Sequence, residues 1–185
     1  MYKILGILLL IFTACQAVTL NSQVIPIFHK YKELNSQFIK STQDNQKEQN
    51  KKREVVEAYM YNEYTKALKI LEKEYCLNPN KDVLNEFISV LIATKNSAYE
   101  EPSLVLGKIY ICQPNSVLRN VTSLGKQNKN YIIKTLDFGF KSVTYNKESK
   151  ITNYAALNEK LKSLKMGKKV EILKKPTSKL GSHTN

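Results

Sequence analysis

The 185-residue sequence has no tryptophan and only two histidines, three cysteines, five prolines and six glycines. Three cysteines are too few for a disulfide-dense miniprotein, and six glycines exclude a collagen-like chain. Acidic residues are scarce too: 16 Asp and Glu face 29 Lys and Arg, giving a formal net charge of +13, and only Arg53 and Arg119 among the cations are arginines. A long apolar run is also missing. The fullest one, Ile4 to Phe12 with Gly6 inside it, covers about nine residues, whereas a helix that crosses a bilayer needs roughly 20. The 42% hydrophobic content is nevertheless too high for wholesale disorder, and the length suits one ordinary domain rather than a multidomain enzyme.

Catalytic signatures are absent as well. There is no Gly-x-Ser-x-Gly, no phosphate-binding glycine loop, no His-Glu-x-x-His and no cysteine pair at zinc spacing. Ser123-Leu124-Gly125-Lys126 has the Ser-x-x-Lys spacing, but such spacings arise by chance in a chain this rich in Ser and Lys, and the companion elements are missing. His29 sits beside an apolar stripe with no ligand partner in sequence, and His183 lies far away near the end. The expectation is a protein without catalytic residues, metal, cofactor or small-molecule substrate. Lysine dominance without arginine or interleaved aromatics also argues against specific nucleic-acid recognition.

What is present begins with an export signal. Lys3 precedes the short apolar run, and small residues follow it, which is a secretory layout. Phe12-Thr13-Ala14-Cys15 resembles the lipobox of bacterial lipoproteins, with Phe12 where that family usually has Leu. The resemblance implies cleavage before Cys15, acylation of its thiol and an anchor in membrane lipid. Gln16 behind the cysteine resembles the pattern of lipoproteins sent to an outer membrane, where the host has one. Cleavage after Ala17, giving a soluble secreted protein, is the alternative. On this reading residues 1–14 are signal and 15–25 a tether.

From Pro26 the apolar residues recur at helical steps: Ile27, Tyr31, Leu34, Phe38 and Ile39. Residues 41–53 contain nothing apolar and read as a solvated link or helix extension. The pattern resumes with Val55, Tyr59, Met60, Tyr64, Leu68, Leu71 and Tyr75, and breaks at Asn78-Pro79-Asn80. Helices are expected again from Asp82 and from Glu101-Pro102, the latter ending at Gln113-Pro114-Asn115.

Tyr75-Cys76-Leu77-Asn78-Pro79-Asn80 aligns with Tyr110-Ile111-Cys112-Gln113-Pro114-Asn115 at a displacement of 35 residues. Tyr64, Ala67, Leu71 and Pro79 resemble the second helix and exit turn of a tetratricopeptide repeat, with Asn62 at the family's interhelical turn. Ser89 and Ile92 resemble packing positions of the next first helix, whereas Glu74 and Glu101 depart from the pattern. The resemblance spans roughly residues 55–115 and implies helical hairpins that bind another protein. A generic antiparallel bundle would give nearly the same helices. In an oxidising compartment Cys76 and Cys112 form an even pair, open to a disulfide if their Cα atoms come within about 7 Å.

Beyond a short helix at Val117–Leu124 the period changes. Tyr131–Leu136 and Phe140–Tyr145 alternate aromatic and β-branched residues around Asp137-Phe138-Gly139, which predicts a hairpin. A helix from Asn153 and a third strand at Val170–Leu173 complete a ββαβ piece. The expected fold is mainly α, and α+β overall: a helical domain over 26–125, a small module over 126–174 and a disordered tail over 175–185. The expected function is a lipid-anchored envelope adaptor whose helical body binds another protein, its basic charge assisting docking to acidic surfaces, whether a partner, anionic headgroups or acidic cell-wall polymers. The alternative is a secreted cationic effector, or an immunity or exclusion factor, acting through the C-terminal module.

Overall fold

A computed structural model describes residues 2–41, 45–95 and 97–168, with side chains from Leu20 onward. All the secondary structure among them is helical. Helix α1 spans Tyr2–Lys40 and α2 Gln46–Tyr59; a π-helical turn, Met60–Tyr64, joins α2 directly to α3, Thr65–Glu74. Then come α4 (Lys81–Ala93), α5 (Glu101–Cys112), α6 (Pro114–Ser123), α7 (Lys126–Thr144), a 3₁₀ turn (Glu148–Lys150) and α8 (Tyr154–Lys165). The mainly α class is what the periodicity indicated.

Helix α1 does not start at Pro26; the proline lies inside it. The apolar face runs back a further two turns, because Leu20, Val24, Phe28, Tyr31 and Leu34 recur at three- and four-residue steps and all are buried. The part of the expected tether from Leu20 onward is therefore core.

Asn45 caps α2, its side chain accepting the Glu48 amide at 3.0 Å. The turn expected at Asn62 is absent, since α2 and α3 form one rod from Gln46 to Glu74. Its buried residues Val56, Met60, Tyr64 and Leu68 follow one another at steps of four. Each such step overshoots the 3.6-residue turn, and one wide turn takes up the excess and keeps the apolar face in line. Asn80 caps α4, accepting from the amides of Asp82 (2.9 Å) and Val83 (3.2 Å), so Asp82 sits in the first turn rather than at the cap.

The rod α2–α3 runs antiparallel to α1. Helix α4 runs parallel to α1, as the contacts His29–Glu86, Lys32–Ser89 and Asn35–Ala93 advance together along both chains. Helix α4 rests chiefly on α1, with smaller contacts to α7 and α6, rather than on its chain neighbours α3 and α5. The run α3, α4, α5 therefore does not stack as successive hairpins, although α3 and α5 do lie side by side.

The hairpin expected over Tyr131–Tyr145 is instead the continuous helix α7. Ile132, Leu136, Gly139 and Phe140 form its buried face, and Thr135 and Thr144 donate back to the carbonyls four residues earlier, at 3.1 and 2.7 Å. The alternation seen in sequence is local, and the three-to-four spacing over the whole segment prevails. Helix α7 packs more extensively on α5 than any other pair of helices in the described residues, so 126–168 shares the core and is not a separate module. Helix α8 forms near the expected place, burying Leu157, Leu161 and Leu164. The proposed third strand and tail lie outside the described residues.

A tyrosine-lined groove as candidate functional site

The core near the π turn is aromatic. The rings of Tyr31 and Tyr64 stack at 4.2 Å, Phe28 meets Tyr64 edge-on at 5.8 Å, and Tyr99 approaches it at 6.4 Å. Tyr64 is wholly buried, and among the described residues its hydroxyl has no hydrogen-bond partner. Burial holds its phenol well above the usual range, and the neighbouring phenols Tyr31 and Tyr99 add to this.

The wide turn is locked by side chains. Thr65 donates its amide and its hydroxyl (2.9 Å) to the Met60 carbonyl, the link that defines the π turn. Tyr99 Oη lies 2.8 Å from the Thr65 hydroxyl, which shares its one proton between that oxygen and the Met60 carbonyl, and Tyr99 donates to Glu101 Oε2. This chain ties the turn to the start of α5 across the α4–α5 connection. Wide turns of this kind cost regular helix geometry and recur at functional positions.

Against this locked turn lies an open groove of about 430 Å³. Helix α1 supplies Tyr31, Asn35, Phe38 and Ile39, the rod supplies Val56, Met60 and Tyr61, and Thr94 and Tyr99 flank the α4–α5 connection. Asn35 donates to the Ala93 carbonyl at 2.9 Å, fixing one wall. Two apolar side chains stand at the rim: Tyr61 is 66% exposed and Ile39 47%. Arg53 and Glu57 pair loosely at 3.9 Å along the same edge.

Two of the groove's phenols, Tyr31 and Tyr99, are held above the usual tyrosine range. Tyr99 is pushed up to about 12, first by burial and then by its hydrogen bond to the Glu101 carboxylate. Tyr31 is raised by burial, with the Ser97 hydrogen bond opposing. Protonated phenols can donate hydrogen bonds and offer flat apolar faces, and they are poor bases and nucleophiles at neutral pH. The arrangement suits binding an apolar or aromatic group with a polar edge. Among the described residues no three His, Cys, Asp or Glu side chains group so as to hold a metal ion.

Of the residues singled out in sequence, Tyr64, Ala67 and Leu71 are fully buried in the core. Ile92 packs half-buried against it, Pro79 is exposed in the turn before α4, and Ser89, half-buried, accepts from Lys32 Nζ at 3.1 Å. Cys76 and Cys112 are joined as a disulfide with Cα atoms 5.8 Å apart, which ties the C-terminal ends of α3 and α5. Cys15 falls within the backbone span of α1, and its side chain lies outside the described set.

One close helix approach was not foreseen at all. It joins Gly107 of α5 to Gly139 of α7: a Cβ on Gly139 would collide with the Ser103 carbonyl, and one on Gly107 with the Gly139 backbone. Tyr99 was overlooked too, since a lone aromatic in a polar connecting stretch carries no periodicity. Among the described residues no helix is long and apolar enough to cross a membrane. Comparison with family models, with curated proteins and with solved structures finds no match.

Proposed function

We propose that this chain is an exported, non-enzymatic adaptor, anchored in membrane lipid through Cys15, whose helical body binds another protein. The observation that carries the binding role is the tyrosine-lined groove beside the locked π turn. Its floor is formed by the buried Tyr31 and Met60, and its rim presents Tyr61 and Ile39 to solvent. Rigid aromatic anchors contribute strongly to protein interfaces because little conformational entropy is lost when they are covered. The partner inserts an apolar or aromatic side chain, and the basic body favours an acidic partner surface.

Two further features support this reading. A disulfide between Cys76 and Cys112 suits an oxidising compartment outside the cytoplasm. The side-by-side α3 and α5, whose ends align at a 35-residue displacement, retain one relation typical of repeat proteins, although the remaining helices pair differently. The alternative, a secreted cationic effector or an immunity or exclusion factor, would place its activity on α7 and α8, which share the common core with the preceding helices.

The test follows the full-length chain in a bacterial envelope. The intact mass of membrane-extracted protein is expected to correspond to a chain starting at an acylated Cys15. Cross-linked protein adducts are expected to disappear in the double variant Ile39→Glu, Tyr61→Glu while membrane retention is unchanged. Uncut chain free in the cytoplasm overturns the anchor, and undiminished adducts in the double variant overturn the groove.

A further inference from the structure

The helix directions gather several features at one end of the bundle. Leu20, buried and the first residue of α1 whose side chain is described, lies at the end where α3 finishes, because α1 runs antiparallel to α3 and parallel to α4. The disulfide brings the end of α5 to the same place. Helix α7 runs alongside α5 in the same sense, Gly139 lying against Ser103 and Gly107 and Phe140 against Tyr110, so its C-terminal end arrives there too.

This end carries the two most exposed large hydrophobic side chains of the described residues, Leu77 at 73% and Tyr145 at 75%. Lys73 and Lys81 stand four positions before and after Leu77, and Lys147 and Lys150 follow Tyr145 by two and five, all exposed; Arg119 lines a hollow with Pro79 and Lys81. The carboxylates of Glu74, Asp82 and Glu148 stand among these five cations without outnumbering them. Exposed apolar side chains with lysines close by in sequence, a tyrosine among them, are suited to the boundary between headgroups and acyl chains.

Cys15 precedes Leu20 by five residues, about 8 Å of helix at 1.5 Å per residue. A lipid on Cys15 would hold this end, and no other, against the bilayer.

The geometry points to a membrane-seating surface: the end of the bundle bearing Leu77 and Tyr145 rests on a bilayer containing anionic lipid, with both side chains in the interface and the lysines among the headgroups. The inference rests on the Cys15 anchor and goes beyond it by fixing which face meets lipid. The tyrosine groove, at the end of α1 remote from Leu20, then faces away from the membrane toward a partner.

The absence of tryptophan makes the test direct. Leu77→Trp, Tyr145→Trp and, as a control at the groove, Tyr61→Trp each give a single-tryptophan form of the full, lipidated chain. These are reconstituted with vesicles of phosphatidylcholine and phosphatidylglycerol in about a two-to-one ratio, with brominated acyl chains as quencher. Leu77→Trp and Tyr145→Trp are expected to shift to the blue and be quenched severalfold more than Tyr61→Trp, and less so in phosphatidylcholine alone. If the proteins float with the vesicles but the first two remain unquenched, the seating surface is overturned while the anchor stands. Equal quenching without phosphatidylglycerol overturns the anionic preference. Failure to float removes the anchor and this proposal together.

Discussion

At the residue scale, Gly107 and Gly139 decide how near α5 and α7 can lie. Neither is needed for a positive φ; what matters is the missing Cβ, which lets two helix backbones meet. A glycine within a helix costs about 1 kcal/mol relative to alanine, so its presence in α7 calls for a compensating contact. Gly139→Ala is expected to lower stability by at least about 2 kcal/mol despite alanine's better helix propensity, because backbone rather than a flexible side chain must move aside. Urea unfolding followed by circular dichroism reads this directly, and an unchanged or higher midpoint would disprove the close approach. The same pair shows why sequence reading went astray here. Phe138-Gly139 looks like a strand bend when only its neighbours are considered, and the contact that explains Gly139, the Ser103 carbonyl, lies 36 positions away in the chain.

Among elements, the rod α2–α3 and its partner α5 carry most of the organisation. The π turn places Met60 where Thr65, Tyr99 and Glu101 hold it, so groove and core share one hydrogen-bonded chain. At the far ends of α3 and α5 the disulfide closes a loop with a sequence separation of 36. Loop-closure entropy assigns such a crosslink about 4 kcal/mol. Reduction, or the double variant Cys76→Ser, Cys112→Ser, is therefore expected to lower the unfolding free energy by about 3 to 4 kcal/mol with the helical circular dichroism retained. A loss below about 1 kcal/mol would show that the crosslink constrains little. The helices α4, α5, α6 and α8 were legible in sequence from proline starts, asparagine-rich turns and apolar spacing. The join of α2 to α3 was not, because Asn62 is compatible both with a turn and with the exposed side of a helix. Helix α7 was missed because its β-branched and aromatic residues satisfy both periods locally, and only burial against α5 selects the longer one. The aromatic groove was likewise hidden: Tyr31, Tyr61 and Tyr99 belong to three separate segments, and nothing in their spacing announces that they meet.

On the scale of the whole molecule, the core is rich in buried phenols. Tyr75 and Tyr99 are pushed up to about 12, Tyr75 by burial and Tyr99 by burial and then Glu101, while burial raises Tyr64 and Tyr110 as well. A phenol whose value is raised on folding keeps its proton longer in the native state than in the unfolded chain. Its stabilising effect is complete below the ordinary value of 10.0 and is lost as pH rises from there through the native value. Stability is accordingly expected to fall between pH 10 and about 12, in step with the appearance of tyrosinate absorbance, and Tyr75→Phe is expected to flatten part of that fall. A urea midpoint that stays level across this window would contradict the burial of these rings. The amino-acid sequence by itself determined the basic charge, the mainly helical class and the places of α4, α5, α6 and α8, because these follow from composition and from interactions within a few residues. Tertiary structure alone decided that α7 is a helix, that α2 and α3 are one rod, that Cys76 reaches Cys112 and that a groove opens beside Met60. Each of these depends on which distant surface a segment is buried against, and that choice minimises exposed apolar area over the whole chain rather than within any one segment.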